Sequence, residues 1–427
     1  MPDGTLTQPG VTILVKIRPE IEFSQVMASI MRDITLAKRQ YLDSHPWITF
    51  QFDLRTLSSQ DWMQLGEALS KCDHIAGVPL APRVAAELHQ IFLIKGVHAT
   101  TQIEGNTLSE EEVGKRLKGD LPLPRSQEYL GIEVENVAKG CEVVVQELAG
   151  GAEIPLSPER IALFNKIVLD GLDLAEDVVP GAIRTRSVTV GNVYRGAPAA
   201  DCDFLLKRLC SWLQDLCSVE ERYRRPVKLL RAILAHLYLA WIHPFGDGNG
   251  RTARLIEFQL LVDAGLPTPA CHLLSNYYNR TRQRYYQILA ETSRPPYSVE
   301  RFVSYAIAGF VEELREQLNI IRQQQFSVAW INYVHEVHHR SSSPTTARQR
   351  ELVLSLPPGR YTATSAIRHL TPLLAELYAG KQQKTVTRDL NVLETAGLIE
   401  WTDVGVRPRV ETMAAFLPLR QIDRPLL

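Results

Sequence analysis

The chain has 427 residues, of which 45% are hydrophobic and 22% charged, and its formal net charge is −1. That composition is ordinary for a globular protein, and at about 150 residues per domain the length suggests roughly two to four domains. The near-zero charge excludes a chain-wide attraction to nucleic acid or to an anionic membrane, so any such role must rest on a local patch.

No apolar run approaches the roughly 20 residues of a membrane-spanning helix, so no membrane partner is expected. The first residues, MPDGTLTQPG, lack the basic-then-apolar order of a secretory leader. The 6 cysteines form no C-x-x-C pair and read as reduced core thiols, which points to a cytoplasmic protein.

In chain order, Val11–Ile17 (VTILVKI) reads as an edge strand, and Trp47–Leu54 (WITFQFDL) alternates as a short extended segment does. From Ser59 helical spacing dominates. Leu88, Ile91, Phe92, Ile94 and Val97 form a stripe on a helix over Val84–Glu104, which stops at Gly105-Asn106. Ser109 and Glu112 form a capping box that opens the next helix. After Pro180-Gly181 the stretch RTRSVTVGNVYRGAP reads as a hairpin turning at Gly191-Asn192. Helices then resume. One starts at Pro226 and carries Leu230, Ile233, Leu234, Leu237, Tyr238 and Trp241. It ends before His243, because Pro244 disfavours helical geometry there. A second runs from Gly250 to Ala264.

HRSSSPTTA (His339–Ala347) is the best linker signal. Beyond it, GRYTATSAIRHL reads as a helical region. QKTVTRDLNVLETAG reads as a helix ending at Gly397, followed by a strand, LIEW, and a return over DVGVRPRV. The organisation expected is an N-terminal region (1–85), a central domain (86–325), a linker (326–345) and a small α+β domain (346–427).

The chemistry concentrates in HPFGDGNGRTAR, His243–Arg254. A glycine-rich turn opening a helix presents backbone N–H groups and a favourable dipole to an anion. Gly248 and Gly250 allow close approach of a ligand. Arg251 and Arg254, at neighbouring positions of the first turn, work against the helix dipole, which makes sense if they hold polyanionic phosphates. Asp247 is a lone hard carboxylate suited to Mg²⁺ bridged by phosphates. His243 is placed to take a proton from a hydroxyl. The residues therefore point to nucleotide-phosphate chemistry with a general base.

This stretch resembles the signature of the Fic family, H-x-F-x-D/E-G-N-G-R-x-x-R, at every fixed position, and the resemblance extends over roughly Ala86–Leu314. It implies a mainly α fold: a helical bundle with a β-hairpin flap, here followed by a small α+β winged-helix domain. It also implies transfer of AMP from ATP to a Ser, Thr or Tyr hydroxyl of a target protein, with Mg²⁺. In that reading His243 is the base, Phe245 anchors the loop and Asp247 holds the metal. Gly248, Asn249 and Gly250 surround the phosphates. Arg251 contacts phosphate, and Arg254 grips the outermost one. A branch of the family with altered glycines and a Lys in this loop transfers phosphate instead; Gly248, Gly250 and Arg251 side with AMP.

Thr185–Gly196 matches the flap, with Val190, Gly191, Val193 and Tyr194 as the residues that would align a target segment by strand addition. TTQIEGN resembles an inhibitory motif in which Glu104 pairs with Arg254 and blocks productive ATP binding; in some relatives that Glu supports removal of AMP. Tyr285 and Tyr286 resemble the adenine-side wall.

His335 and His339 match H-E-x-x-H. A zinc site is not expected there, because His338 takes a normally apolar position and no third ligand stands out. The C-terminal unit resembles a winged helix-turn-helix, with Lys381, Lys384, Arg388, Arg407 and Arg409 available to nucleic acid. Such modules also bind proteins or dimerise, so DNA and a second copy of the chain are both partners to consider. The alternative function is a nucleotide-sensing DNA-binding regulator.

Overall fold

The structure is a computed structural model that describes residues 39–80, 82–149, 154–190, 194–338 and 343–413. The strand expected at Val11–Ile17 lies outside the described residues.

Helix α1 (Ser59–Gly77) opens on a capping box between Ser58 and Asp61. α2 (Pro82–Ile103) buries Leu88, Phe92, Val97 and Ile103. It stops where expected: Gly105 takes φ +104°, and Asn106 donates to the Leu130 carbonyl at 2.9 Å. α3 (Glu110–Leu117) carries the expected capping box of Ser109 and Glu112. α4 (Glu128–Ala149) and α5 (Pro158–Val168) follow, then α6 (Cys202–Leu216).

The centre is the pair α7 (Glu221–Ile242) and α8 (Asn249–Asp263), packed against each other. From Leu229 to Ile242 almost every α7 residue is buried, the pattern of a helix surrounded on all sides. α7 opens at Glu221, earlier than expected, and carries Pro226 inside it. α9 (Leu273–Arg280) packs on α2, α10 (Arg282–Thr292) on the next helix, and α11 (Val299–Val337) on α1.

Between α5 and α6 lies a short antiparallel hairpin, β1 (Thr189–Val190) with β2 (Tyr194–Arg195), in register Thr189 to Arg195. Trp47–Asp53 is not a strand. It runs irregularly into a 3₁₀ turn at Leu54–Thr56. Its alternation reflects Ile48 and Phe50 turning into the helical core, with no strand among the described residues to pair with.

α11 continues to Val337, through the first part of the stretch read as linker. Trp330 and Val334 explain why: they lie in the hydrophobic core of the C-terminal unit. α12 (Pro344–Ser355) begins after the N-cap Ser343. GRYTATSAIRHL forms only a bridge from Thr362 to Val406 and a 3₁₀ turn at Ile367–His369. The helix there is α13 (Pro372–Leu377). α14 (Gln383–Thr395) then leads through Gly397 to the hairpin of β3 (Ile399–Thr402) and β4 (Gly405–Pro408). No helix among the described residues is long and apolar enough to cross a membrane.

Candidate active site

His243 caps α7 in a left-handed conformation, φ 50° and ψ 59°. The chain turns there because Pro244 cannot continue the helix. Nδ1 faces the Ala240 carbonyl at 3.4 Å, which leaves Nε2 as the nitrogen available to a ligand. Burial pushes the imidazole down to about 4, so it is neutral at pH 7, the form a base requires.

The loop after His243 is held from several sides. Phe245 is buried in the core, and its backbone exchanges two 2.9 Å hydrogen bonds with the Asn249 side chain. The Asn249 amide is thereby committed to holding the loop, so what it can offer an anion is its backbone N–H. Gly248 takes φ +72° at the N-cap of α8, a conformation glycine adopts freely. At Gly250 an added methyl would collide with the Glu104 carboxyl; glycine lets the two elements approach.

Glu104 and Arg254 are paired, as the motif suggested. Glu104 Oε1 lies 2.5 Å from Arg254 Nη2, which also donates to the Thr100 carbonyl at 3.0 Å. The Arg254 side chain is almost wholly covered, whereas that of Glu104 is 32% exposed. Burial alone would raise the Glu104 pKa, but Arg254, Arg251 and His243 outweigh it and hold the carboxyl below its ordinary range.

Glu104, His243, Gly250, Arg254, Tyr194, Tyr285 and Tyr286 line one cavity of about 470 Å³. Tyr286 donates to the Ile103 carbonyl at 3.2 Å, tying that wall to the end of α2. Tyr194 anchors β2 by donating to the Trp241 carbonyl at 2.6 Å. Gly191 and Val193 lie outside the described residues, and only the backbone of Val190 is described.

Arg251 and Asp247 are not among the residues lining this cavity. Arg251 is buried and pairs with Glu133 at 2.7 Å, and its Nη2 is 3.5 Å from Asp247. Asp247 is half exposed and accepts from the Gly248 N–H at 2.5 Å. Among the described residues no three His, Cys, Asp or Glu side chains gather as a metal site. His335 lies in the last turn of α11, and His339 is outside the described residues.

Three supports were not visible in the sequence. Arg184, buried, donates to the carbonyls of His243 (2.7 Å) and Arg186 (2.6 Å) and to that of Ala197, joining the base of the hairpin to the loop. Asn165 donates to the Asp247 carbonyl and accepts from the Gly181 N–H, both at 2.9 Å. Glu133 receives Arg251 on one oxygen and Asn106 on the other. The only signal for them in the sequence was polar residues inside otherwise apolar segments.

Residues 155–261 match the profile of the Fic/DOC family. The chain is 30% identical over 176 residues to protein adenylyltransferase fic-1 of Caenorhabditis briggsae, covering 40% of this chain and 32% of that protein. It is 26% identical over 266 residues to protein adenylyltransferase Fic of Drosophila ananassae, covering 60% and 50%. The chain thus spans half or less of the length of these two curated relatives. The fold resembles that of a Fic family protein from Desulfovibrio desulfuricans, with a TM-score of 0.51 at 19% identity over 85% of this chain and 95% of that one. It also resembles Fic-1 from C. elegans, with a TM-score of 0.50 at 21% identity over 71% and 80%. The helical bundle built around α7, the signature loop and α8 has the fold of these Fic structures, and its sequence from 155 to 261 matches the Fic/DOC family.

Proposed function

We propose that this protein transfers AMP from ATP to a Ser, Thr or Tyr hydroxyl of a target protein and is held in check by Glu104. The observation that carries the reading is the shared cavity: the neutral base His243 and the buried guanidinium of Arg254 face one space, at the N-terminus of the helix that opens with Gly248-Asn249-Gly250. That is a place for a phosphate chain beside a proton acceptor. The names of the relatives match this chemistry.

In the reaction, the target oxygen attacks the α-phosphorus of ATP as its proton passes to His243 Nε2. The bond to pyrophosphate breaks, and pyrophosphate leaves. The backbone N–H groups at the start of α8 and the side chain of Arg254 hold the phosphate oxygens, while Arg251, paired with Glu133 away from the cavity, braces the turn. Tyr285 and Tyr286 wall the base. The edge of the β1–β2 hairpin lines up an extended target segment through main-chain hydrogen bonds. Asp247 fits Mg²⁺: it is a single half-exposed carboxylate, and Mg²⁺ binds through one or two carboxylates plus phosphates and water. When bound, the ion would neutralise phosphate charge. Glu104 engages the guanidinium that the outermost phosphate needs, so ATP can settle productively only when Glu104 moves away.

For the C-terminal unit we propose a winged helix-turn-helix. A helix ahead of a two-stranded hairpin and the exposed Lys381, Lys384, Arg388 and Arg409 support that reading. Arg407 is less available, because it is paired with Glu400 and Glu411. A gel shift with genomic fragments tests DNA binding directly.

The test of the main reading is auto-modification with α-labelled ATP and Mg²⁺. Label that appears strongly in Glu104→Gly, weakly in wild type and not in Glu104→Gly/His243→Ala is the expected result. ATP binding without label in any variant would overturn the transferase reading in favour of a nucleotide-sensing regulator. Label from γ- but not α-phosphate would mean phosphoryl transfer.

A further inference from the structure

Behind the Tyr285 wall of the cavity lies a buried polar chain whose inner members the proposed reaction does not use. His236, on α7 two turns before His243, is fully buried, and its Nε2 is 2.9 Å from the Tyr285 hydroxyl. Its Nδ1 lies 3.3 Å from Glu257 Oε2 on α8, within ion-pair reach but without the angle of a hydrogen bond. The other oxygen of Glu257 accepts from the Tyr278 hydroxyl at 3.0 Å. Glu257 is 1% exposed, and no residue of the set exceeds 3%. The rings are also packed: His236 lies parallel to Phe302 at 5.8 Å, and Tyr278 to Tyr285 at 4.9 Å.

A buried carboxylate and imidazole cost desolvation that apolar side chains of the same volume would not. Stability alone therefore does not explain them. What they do is directional. The carboxylate facing Nδ1 favours the proton on that nitrogen. Nε2 is then an acceptor, and the Tyr285 hydroxyl donates to it. Tyr285 is the one member of the chain that reaches the cavity.

We infer that His236, oriented by Glu257, is a positioning residue that fixes the Tyr285 ring as a rigid wall for the planar base of the nucleotide. The inference rests on the nucleotide reading of the cavity. A hydroxyl tethered at its far end holds the ring face in one orientation before the ligand arrives, so the base meets a preformed surface. Without the tether the ring pivots about its side-chain bonds and must be ordered on binding.

The test is ATP binding by calorimetry in a Glu104→Gly parent, so that the inhibitory carboxyl is absent throughout. Tyr285→Phe removes only the hydroxyl. His236→Phe/Glu257→Gln removes the tether while keeping a ring against Phe302 and leaving no unpaired charge. Each is expected to weaken ATP binding about tenfold. Their combination should weaken it no further, because both act through one hydrogen bond. In turnover the loss should appear in KM, with kcat unchanged, while a melting curve reports that each variant is folded. If Tyr285→Phe binds ATP within twofold of the parent, or if the losses add, the positioning role is overturned. A folded parent that binds no ATP overturns the nucleotide reading itself, and this inference with it.

Discussion

Glu104 and Arg254 are 150 positions apart in sequence, yet the carboxylate rests 2.5 Å from the guanidinium inside the cavity that also holds His243. The end of α2 thereby places a charge where the proposed reaction places a phosphate. Glu104→Gly is expected to raise auto-modification at least about tenfold, as loss of a charge-assisted hydrogen bond of about 1.5–3 kcal/mol allows. It also leaves Arg254 buried without its partner. The melting temperature should fall, and ATP should restore it more in the variant than in wild type. Equal labelling of the two proteins would remove the inhibitory role.

In the proposed reaction His243 would serve as a neutral base down to low pH. With its pKa pushed down to about 4, transfer should show no acid limb from this residue between pH 8 and about pH 5, and should fall as pH approaches 4. The stability consequence has the same sign. The unfolded chain binds this proton near 6.5 and the folded chain near 4, so the contribution of His243 is present above pH 6.5 and is lost as pH falls towards 4. An inflection of the rate near pH 6.5 would contradict this. His243→Ala should lower transfer by about 10²–10⁴ while ATP binding, measured separately, is kept.

Arg184 holds the hairpin base to the signature loop through the carbonyls of His243, Arg186 and Ala197. Arg184→Ala leaves those carbonyls without their donor and should cost about 2–5 kcal/mol. Arg184→Lys, with a single ammonium in place of a fork, should recover only part of that. Chemical denaturation checks the energy. Proteolysis near the hairpin checks its location and should speed up in the alanine variant.

Asp389 plays a similar part in the C-terminal unit. It is buried and accepts from Arg348 at 2.7 Å, Gln349 at 3.0 Å and Tyr378 at 2.9 Å. Asp389→Ala leaves Arg348 unpaired in that core and should cost about 3–5 kcal/mol. Near-UV circular dichroism should show loss of the signal from Trp401 and Tyr378, while ATP binding to the helical bundle is retained. Loss of both together would mean that the two units unfold as one.

The turn at His243–Arg254 was legible in the sequence because its determinants are local. The proline that ends α7, the glycines that free the backbone and the arginines of the first turn of α8 lie within one stretch, and each acts through its own backbone or its near neighbours. Helix ends were legible for the same reason: the Ser109 and Glu112 box and the left-handed Gly105 are short-range features. The segment read as extended, Trp47–Leu54, is neither helix nor paired strand from 48 to 53: alternation reports which side is buried, not whether another strand is present to pair with.

What the sequence determined by itself was therefore the glycine-rich turn, the histidine before it and the helices that flank it. Only the tertiary structure decided what holds them. Arg184 reaches His243 across 59 positions and Arg251 reaches Glu133 across 118. The Glu257, His236 and Tyr285 chain joins three helices beneath the cavity. Hydrogen bonds and ion pairs act over a few ångströms of space. Pairs so far apart along the chain become neighbours only once the hydrophobic core around α7 has folded.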